Sequence, residues 1–153
     1  MEIERRFRLP AMPRLELPGG FPIVQGYLPD SAGGIRIRRI GPDFRMTVKG
    51  DGDIAREEWE TPLPAWVFEQ LWPCTTNARV EKTRYRIAHG DFAIELDTYH
   101  GALEGLVIFE CEFPDITSSE KFSLPPWAAD ALDVTKDRRY NAASLARSGT
   151  IPD

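Results

Sequence analysis

Acidic residues recur two apart along this chain, as Glu2 and Glu4, Glu58 and Glu60, Glu95 and Asp97, and Glu110 and Glu112. Basic residues do the same. Arg36 and Arg38 form one set, Lys82, Arg84 and Arg86 another, Arg45 and Lys49 flank Thr47, and Arg6 continues the first acidic pair. Like charges side by side repel, and a water-facing sheet gains nothing by repeating that arrangement. A counter-ligand turns the repulsion into attraction. Carboxylates are hard oxygen donors suited to Mg2+ or Mn2+. Arginine and lysine grip phosphate oxygens, arginine through a fork that matches their geometry. Eight acids and eight bases of this kind point to a ligand made of a divalent cation and a phosphate chain. The competing reading is a solvent-exposed sheet face laced with salt bridges.

A spacing of two is the period of a β-strand, so one face of each strand must carry these charges. Turn signals at Gly41-Pro42-Asp43, Gly50-Asp51-Gly52-Asp53, His89-Gly90-Asp91 and His100-Gly101 cut the chain into short pieces. The pattern predicts eight strands, over 2–8, 22–28, 35–40, 43–49, 55–61, 79–88, 91–98 and 106–113. The opposite faces are apolar, with Ile35 and Ile37, Phe44, Met46 and Val48, Ile94 and Leu96, and Val107, Phe109, Cys111 and Phe113. Short helices are expected over 64–71 and 140–147, the latter stopped by Ser148-Gly149, with single turns within 117–122 and 126–132. The expected fold is mainly β (α+β): one domain over 1–153, built as an eight-stranded antiparallel β-barrel. Its lumen is charged and a few short helices flank it.

Composition narrows the function. The net charge is −5, which argues against a general nucleic-acid binder. No apolar run approaches the roughly 18 residues of a membrane span. The chain is charged from Glu2 onward, which gives no secretory signal, so a cytoplasmic protein is expected. Two cysteines, Cys74 and Cys111, make neither a disulfide framework nor a CxxC zinc site. His89 and His100 sit beside turn glycines and read as surface residues, and Gly33-Gly34 precedes a strand and so cannot be a P-loop. The four tryptophans read as packing residues.

In order along the chain, several segments resemble the motifs of the CYTH superfamily, the triphosphate tunnel metalloenzymes. Glu2-Ile3-Glu4-Arg5-Arg6 resembles its ExExK opening, and Ile35-Arg36-Ile37-Arg38 its RxR strand. Met46-Thr47-Val48-Lys49 is similar to the lysine strand, Glu58-Trp59-Glu60 to the ExE strand, and Lys82-Thr83-Arg84 to the KxR strand. Glu95-Leu96-Asp97 and Glu110-Cys111-Glu112 resemble the late acidic strands, and Asp137-Arg138-Arg139-Tyr140 the closing segment. The resemblance implies an eight-stranded tunnel, Mg2+ or Mn2+, and cleavage at a triphosphate. A short chain without large insertions is most like the bacterial inorganic triphosphatases. Nucleoside or thiamine triphosphatases, adenylyl cyclases, and a polyphosphate-binding module with little turnover remain the alternatives.

Residue roles carry over with it. Glu2, Glu4 and Glu112 are the first candidates for metal ligands, followed by Glu110 and Asp97. Glu58 and Glu60 are candidates for a second metal or for orienting water. Arg6, Arg36, Arg38, Lys49, Lys82, Arg84 and Arg139 are expected to hold the phosphates, with Lys82 also placed among the catalytic groups. One departure stands out. The motif lysine is here Arg6, which stays protonated and cannot transfer a proton. In the family that position pairs with a strand-two tyrosine, here Tyr27. The expected partner is a small triphosphate, with no nucleic acid and no membrane; a homodimer is left open.

Overall fold

The computed structural model describes residues 1–29, 34–50 and 54–153. Most of the expected turn at Gly50-Asp51-Gly52-Asp53, and Gly33, lie outside the described residues. The first four strands are β1 (Glu2–Leu9), β2 (Phe21–Tyr27), β3 (Ile35–Ile40) and β4 (Asp43–Lys49). Then come β5 (Ala55–Arg56), β6 (Glu58–Pro62), β7 (Arg79–His89), β8 (Phe92–Tyr99), β9 (Val107–Glu112) and β10 (Leu132–Asp133). They form one antiparallel sheet in the order β10-β1-β9-β8-β7-β2-β3-β4-β6, with β5 paired to β1. Gly41 and Gly90, both at positive φ, close the tight β3–β4 and β7–β8 hairpins.

The expected fifth strand is the one that differs. It breaks at Glu57, so that β6 pairs with β4 while β5 pairs with β1. Among the described residues the sheet therefore has ten strands instead of eight, the tenth being the two-residue β10, and no unbroken ladder closes it. The same break brings its two ends together. Lys49 at the end of β4 reaches Glu2 at the start of β1, with Nζ 3.1 Å from Oε1. The result is a tunnel-like wall curled round the charged face.

Among the described residues three helices flank the sheet: α1 (Ala65–Leu71), α2 (Ile116–Lys121) and α3 (Ala142–Ser148). Asp115 caps α2 by accepting the Ser118 amide at 2.7 Å, and Asn141 caps α3 by accepting the Ser144 amide at 2.8 Å. The turn expected at 126–132 is only a 3-10 turn at Pro126–Ala128 followed by β10. Among the described residues no helix is long and apolar enough to cross a membrane.

Two apolar clusters fix the wall. On the outer face Phe7, Leu96, Phe109 and Phe113 pack beneath Phe122 and Trp127. The second cluster lies on the inward face. There the alternation that carries charge along most of each strand turns apolar, at Tyr27, Val80, Tyr99 and Ile108, and Leu145 of α3 packs against it. One end of the tunnel is thereby floored by a hydrophobic plug.

Candidate functional site

The inward face encloses a cavity of about 340 Å³. It is lined by Glu2, Glu4 and Arg6 of β1, Tyr27 of β2, Arg36 and Arg38 of β3, and Lys49 of β4. Glu58 and Glu60 of β6, Lys82 and Arg84 of β7, and Glu110 and Glu112 of β9 complete the set of expected residues that it brings together. Asn141, Ala142 and Ala143 sit at the floor.

Two expected residues are placed elsewhere. Asp97 shares the inward face but lies behind the cavity surface, 1% exposed. It grips Arg84 through two oxygens, at 2.7 and 2.9 Å, and Lys82 at 2.8 Å. Burial opposes its charge, but Lys82 and Arg84 together hold its carboxyl below the ordinary range. Arg139 lies in a 3-10 turn, where Asp137 two residues earlier takes its guanidinium at 2.7 Å, and it does not line the cavity. Both departures have one cause: a nearer partner of opposite charge claims the side chain.

Carboxylates gather where β1, β6 and β9 meet. Glu4 stands directly across the ladder from Glu112, and Arg6 from Glu110. Burial, reinforced by Glu110, pushes Glu4 up to about 8. Glu110 goes the other way: although burial opposes its charge, Arg6 and a hydrogen bond with Glu4 hold it well below its usual range. Glu2 and Glu58 form a second hydrogen-bonded acid pair. Burial and that bond raise Glu2; the bond and then Lys49 outweigh burial and lower Glu58. Burial also raises Glu112, with Glu2 and Glu95 adding to it. Within each pair the two carboxyls are shifted in opposite directions, as crowded acids are.

Among the described residues, no three acidic, histidine or cysteine side chains converge as an assembled ligand set. Side-chain cations stand among the acids instead: Lys49 between Glu2 and Glu58, at 3.1 and 3.4 Å, and Arg6 between Glu4 and Glu110, both at 3.2 Å. The donors are all carboxylate oxygens, with no histidine or cysteine in the lining. That chemistry fits a hard cation of the Mg2+ or Mn2+ class.

Cations dominate deeper along β3 and β7. Arg38 is 7% exposed, and its anionic contact, Glu60, is 3.4 Å away. Burial, with Arg36 and Arg84 nearby, lowers it to about 10. The Nε atoms of Arg36 and Arg38 are buried without a hydrogen-bond acceptor. Burial pushes Lys82 down to about 8, although Asp97 pulls the other way. A buried guanidinium pair short of acceptors is a cradle for oxyanions.

The Arg6–Tyr27 pairing implied by the family resemblance is not formed. Arg6 binds Glu4 and Glu110, which outweigh burial and hold it above its ordinary value, while the Tyr27 hydroxyl accepts from Gln25 Nε2 at 3.1 Å. Three inward residues escaped sequence reasoning. Arg56 lines the cavity and ion-pairs with Glu2 and Glu4. Its even number matches Glu58 and Glu60, the signal that could have found it. Gln25 shares parity with Tyr27 and is fully buried, with Oε1 unpartnered. Tyr99, one residue past the expected strand end, is buried opposite Lys82.

The chain is similar to known proteins over nearly its whole length. The CYTH domain family matches residues 1–149. A protein of Nitrosomonas europaea named inorganic triphosphatase is 39% identical, over 96% of this chain and 97% of its own. One of Acetivibrio thermocellus with the same name is 32% identical, over 96% of this chain and 94% of its own. A crystal structure of an inorganic triphosphatase superposes with a TM-score of 0.70 at 37% identity, covering 100% of this chain and 97% of that one. A Hippeastrum protein described as a putative adenylyl cyclase with dominant triphosphatase activity shares the fold at 14% identity, with a TM-score of 0.59 over 99% of this chain and 98% of that one.

Proposed function

The chain belongs to the CYTH family, and from that premise we propose that it is a divalent-cation-dependent inorganic triphosphatase, releasing diphosphate and phosphate. The observation that carries the reading is the juxtaposition of two unbalanced banks in one floored cavity. Crowded acids are shifted in opposite directions on one side, and the buried Nε atoms of Arg36 and Arg38 lack acceptors on the other. A cation and a phosphate chain bound together would satisfy both.

Glu2, Glu4, Glu110 and Glu112, with Glu58 beside them, are the residues that would hold Mg2+ or Mn2+. A cation there supplies neutralisation of phosphate oxygens and acidifies a bound water. The protein's own side chains do the remaining work. Arg36, Arg38 and Arg84 hold the phosphate chain, and their charge counts most as negative charge moves onto the leaving oxygens. Lys82, held by Asp97 at 2.8 Å, and Lys49 extend that grip. Glu58, kept ionised below its usual range, accepts a hydrogen bond from the attacking water. Arg6 stays charged and braces Glu4 against Glu110. The relatives of Nitrosomonas europaea and Acetivibrio thermocellus, both named inorganic triphosphatase, favour the inorganic substrate.

Phosphorus NMR of the products tests the reading. One phosphate and one diphosphate per triphosphate consumed is expected. Pyrophosphate with a cyclic nucleotide from ATP, and no attack on triphosphate, would refute it.

A further inference from the structure

Arg56 has no role in the scheme above, yet it makes the shortest ion contact to Glu4. Its Nη2 donates to Glu4 Oε1 at 2.8 Å, and its Nε lies 3.5 Å from Glu2 Oε1. Arg6 approaches the same Glu4 oxygen at 3.2 Å, and Lys49 the same Glu2 oxygen at 3.1 Å. Both acids expected to bind a cation are therefore already held by the protein's own cations.

The three cations are not equivalent. Arg6 is anchored a second time, by Glu110, and sits inside the eight-residue β1. Lys49 is anchored a second time by Glu58. Among the described residues, Arg56 has ion pairs with Glu2 and Glu4 alone. The strand that carries it, β5, is two residues long among the described residues and meets β1 at two register positions. A divalent cation arriving on Glu2 and Glu4 repels all three charges, and Arg56 is the one left with no second anion. It lines the same cavity as Arg36 and Arg38, where a phosphate chain would supply new acceptors.

We propose that Arg56 is an exchangeable counterion. Without the cation it is held by Glu2 and Glu4; when a divalent cation binds them it is displaced and turns to the phosphate chain. The exchange rests on the tunnel being a metal–phosphate site, and it makes the two ligands cooperative, because the cation frees a guanidinium for the triphosphate.

The test is direct Mn2+ binding by calorimetry to the wild-type protein, Arg56→Gln and Arg56→Lys, without substrate, followed by triphosphate kinetics. Arg56→Gln should bind Mn2+ about three- to tenfold tighter, the order expected when one screened unit charge leaves the neighbourhood of a divalent ion. Its KM for triphosphate should rise more than its kcat falls, and Arg56→Lys should lie between. Mn2+ affinity that is unchanged or weaker in Arg56→Gln, with wild-type binding intact, overturns the exchange alone. A wild-type protein that binds no Mn2+ overturns the site reading and the exchange with it. A second measurement needs no altered fold. The Arg56 Nε–H resonance of the wild-type protein, assigned by its loss in Arg56→Lys, should shift when Mg2+ is added; no shift would refute displacement.

Discussion

Glu4 on β1 stands directly opposite Glu112 on β9, two carboxylates facing each other across an antiparallel ladder. A pair placed this way is destabilising unless a proton or a cation sits between the charges. Glu4 takes the proton, since burial and Glu110 raise it to about 8. Replacing Glu4 by Gln keeps the size and the hydrogen-bonding reach but removes the charge. Glu4→Gln should lose cation-dependent phosphate release while its melting temperature in chelator equals or exceeds that of the wild-type protein. Activity retained at ordinary Mg2+ would remove Glu4 from the ligand set.

The same group sets a pH dependence. In the folded chain Glu4 holds its proton to about 8, against an unfolded value near 4.5. Between those values the folded state binds more protons, so this stabilisation is full below about 4.5 and is lost as pH rises through about 8. The size is a few kcal/mol at most. Lys82 acts above that window: its folded value of about 8 lies below 10.5, so its contribution grows as pH rises from about 8 to 10.5. Urea midpoints of the metal-free protein should therefore fall from pH 5 to 8 and rise again beyond it. Glu4→Gln should remove most of the slope, and an equal slope in both proteins would contradict the assignment.

Arg38 lacks a close acceptor and is lowered by its surroundings, first burial and then Arg36 and Arg84. Arg38→Ala should reduce kcat/KM for triphosphate by roughly 10- to 150-fold, the loss of one charged hydrogen bond worth about 1.5–3 kcal/mol. Its urea midpoint should stay within error of the wild-type value, because removing Arg38 relieves repulsion. Unchanged kcat/KM would place Arg38 outside the site.

Asp97 should behave in the opposite way. It is fully enclosed between Lys82 and Arg84, so Asp97→Asn takes the ion-pair partner from buried Lys82 and leaves Arg84 with Glu95 alone. A loss of about 3–5 kcal/mol in unfolding free energy is expected, with Mn2+ affinity little changed in the folded fraction. A large loss of metal affinity at normal stability would return Asp97 to the ligands.

Arg6 bridges Glu4 and Glu110 with two different nitrogens. Lysine cannot hold both in that fork, so Arg6→Lys should lower stability by about 1–2 kcal/mol and leave kcat equal or lower. A marked rise in kcat with a new alkaline limb in the pH–rate profile would show that a proton-bearing lysine had been lacking.

The alternation of charge was enough to read the inward face, because the β-strand period admits only two faces and the other was apolar. Glu2, Glu4, Arg36, Arg38, Glu58, Lys82, Arg84, Glu110 and Glu112 all follow from it. Parity could not say how deep a side chain lies or which neighbour claims it. Asp97 has the right parity, yet Arg84 stands opposite it on β7 and captures it. Arg139 lies outside any strand and is taken by Asp137. The break at Glu57 was invisible to pattern, since Arg56, Glu58 and Glu60 keep one parity while the backbone changes partner from β1 to β4. The apolar floor was hidden because Tyr27, Val80, Tyr99 and Ile108 come from four strands and meet only in the folded sheet.

The most direct test of the central claim is phosphate release from inorganic triphosphate, ATP and thiamine triphosphate, each with Mg2+, with Mn2+ and with chelator. The account predicts rapid release from inorganic triphosphate that requires the cation and disappears in Glu4→Gln. Release that persists in chelator, or turnover of ATP alone, would contradict it.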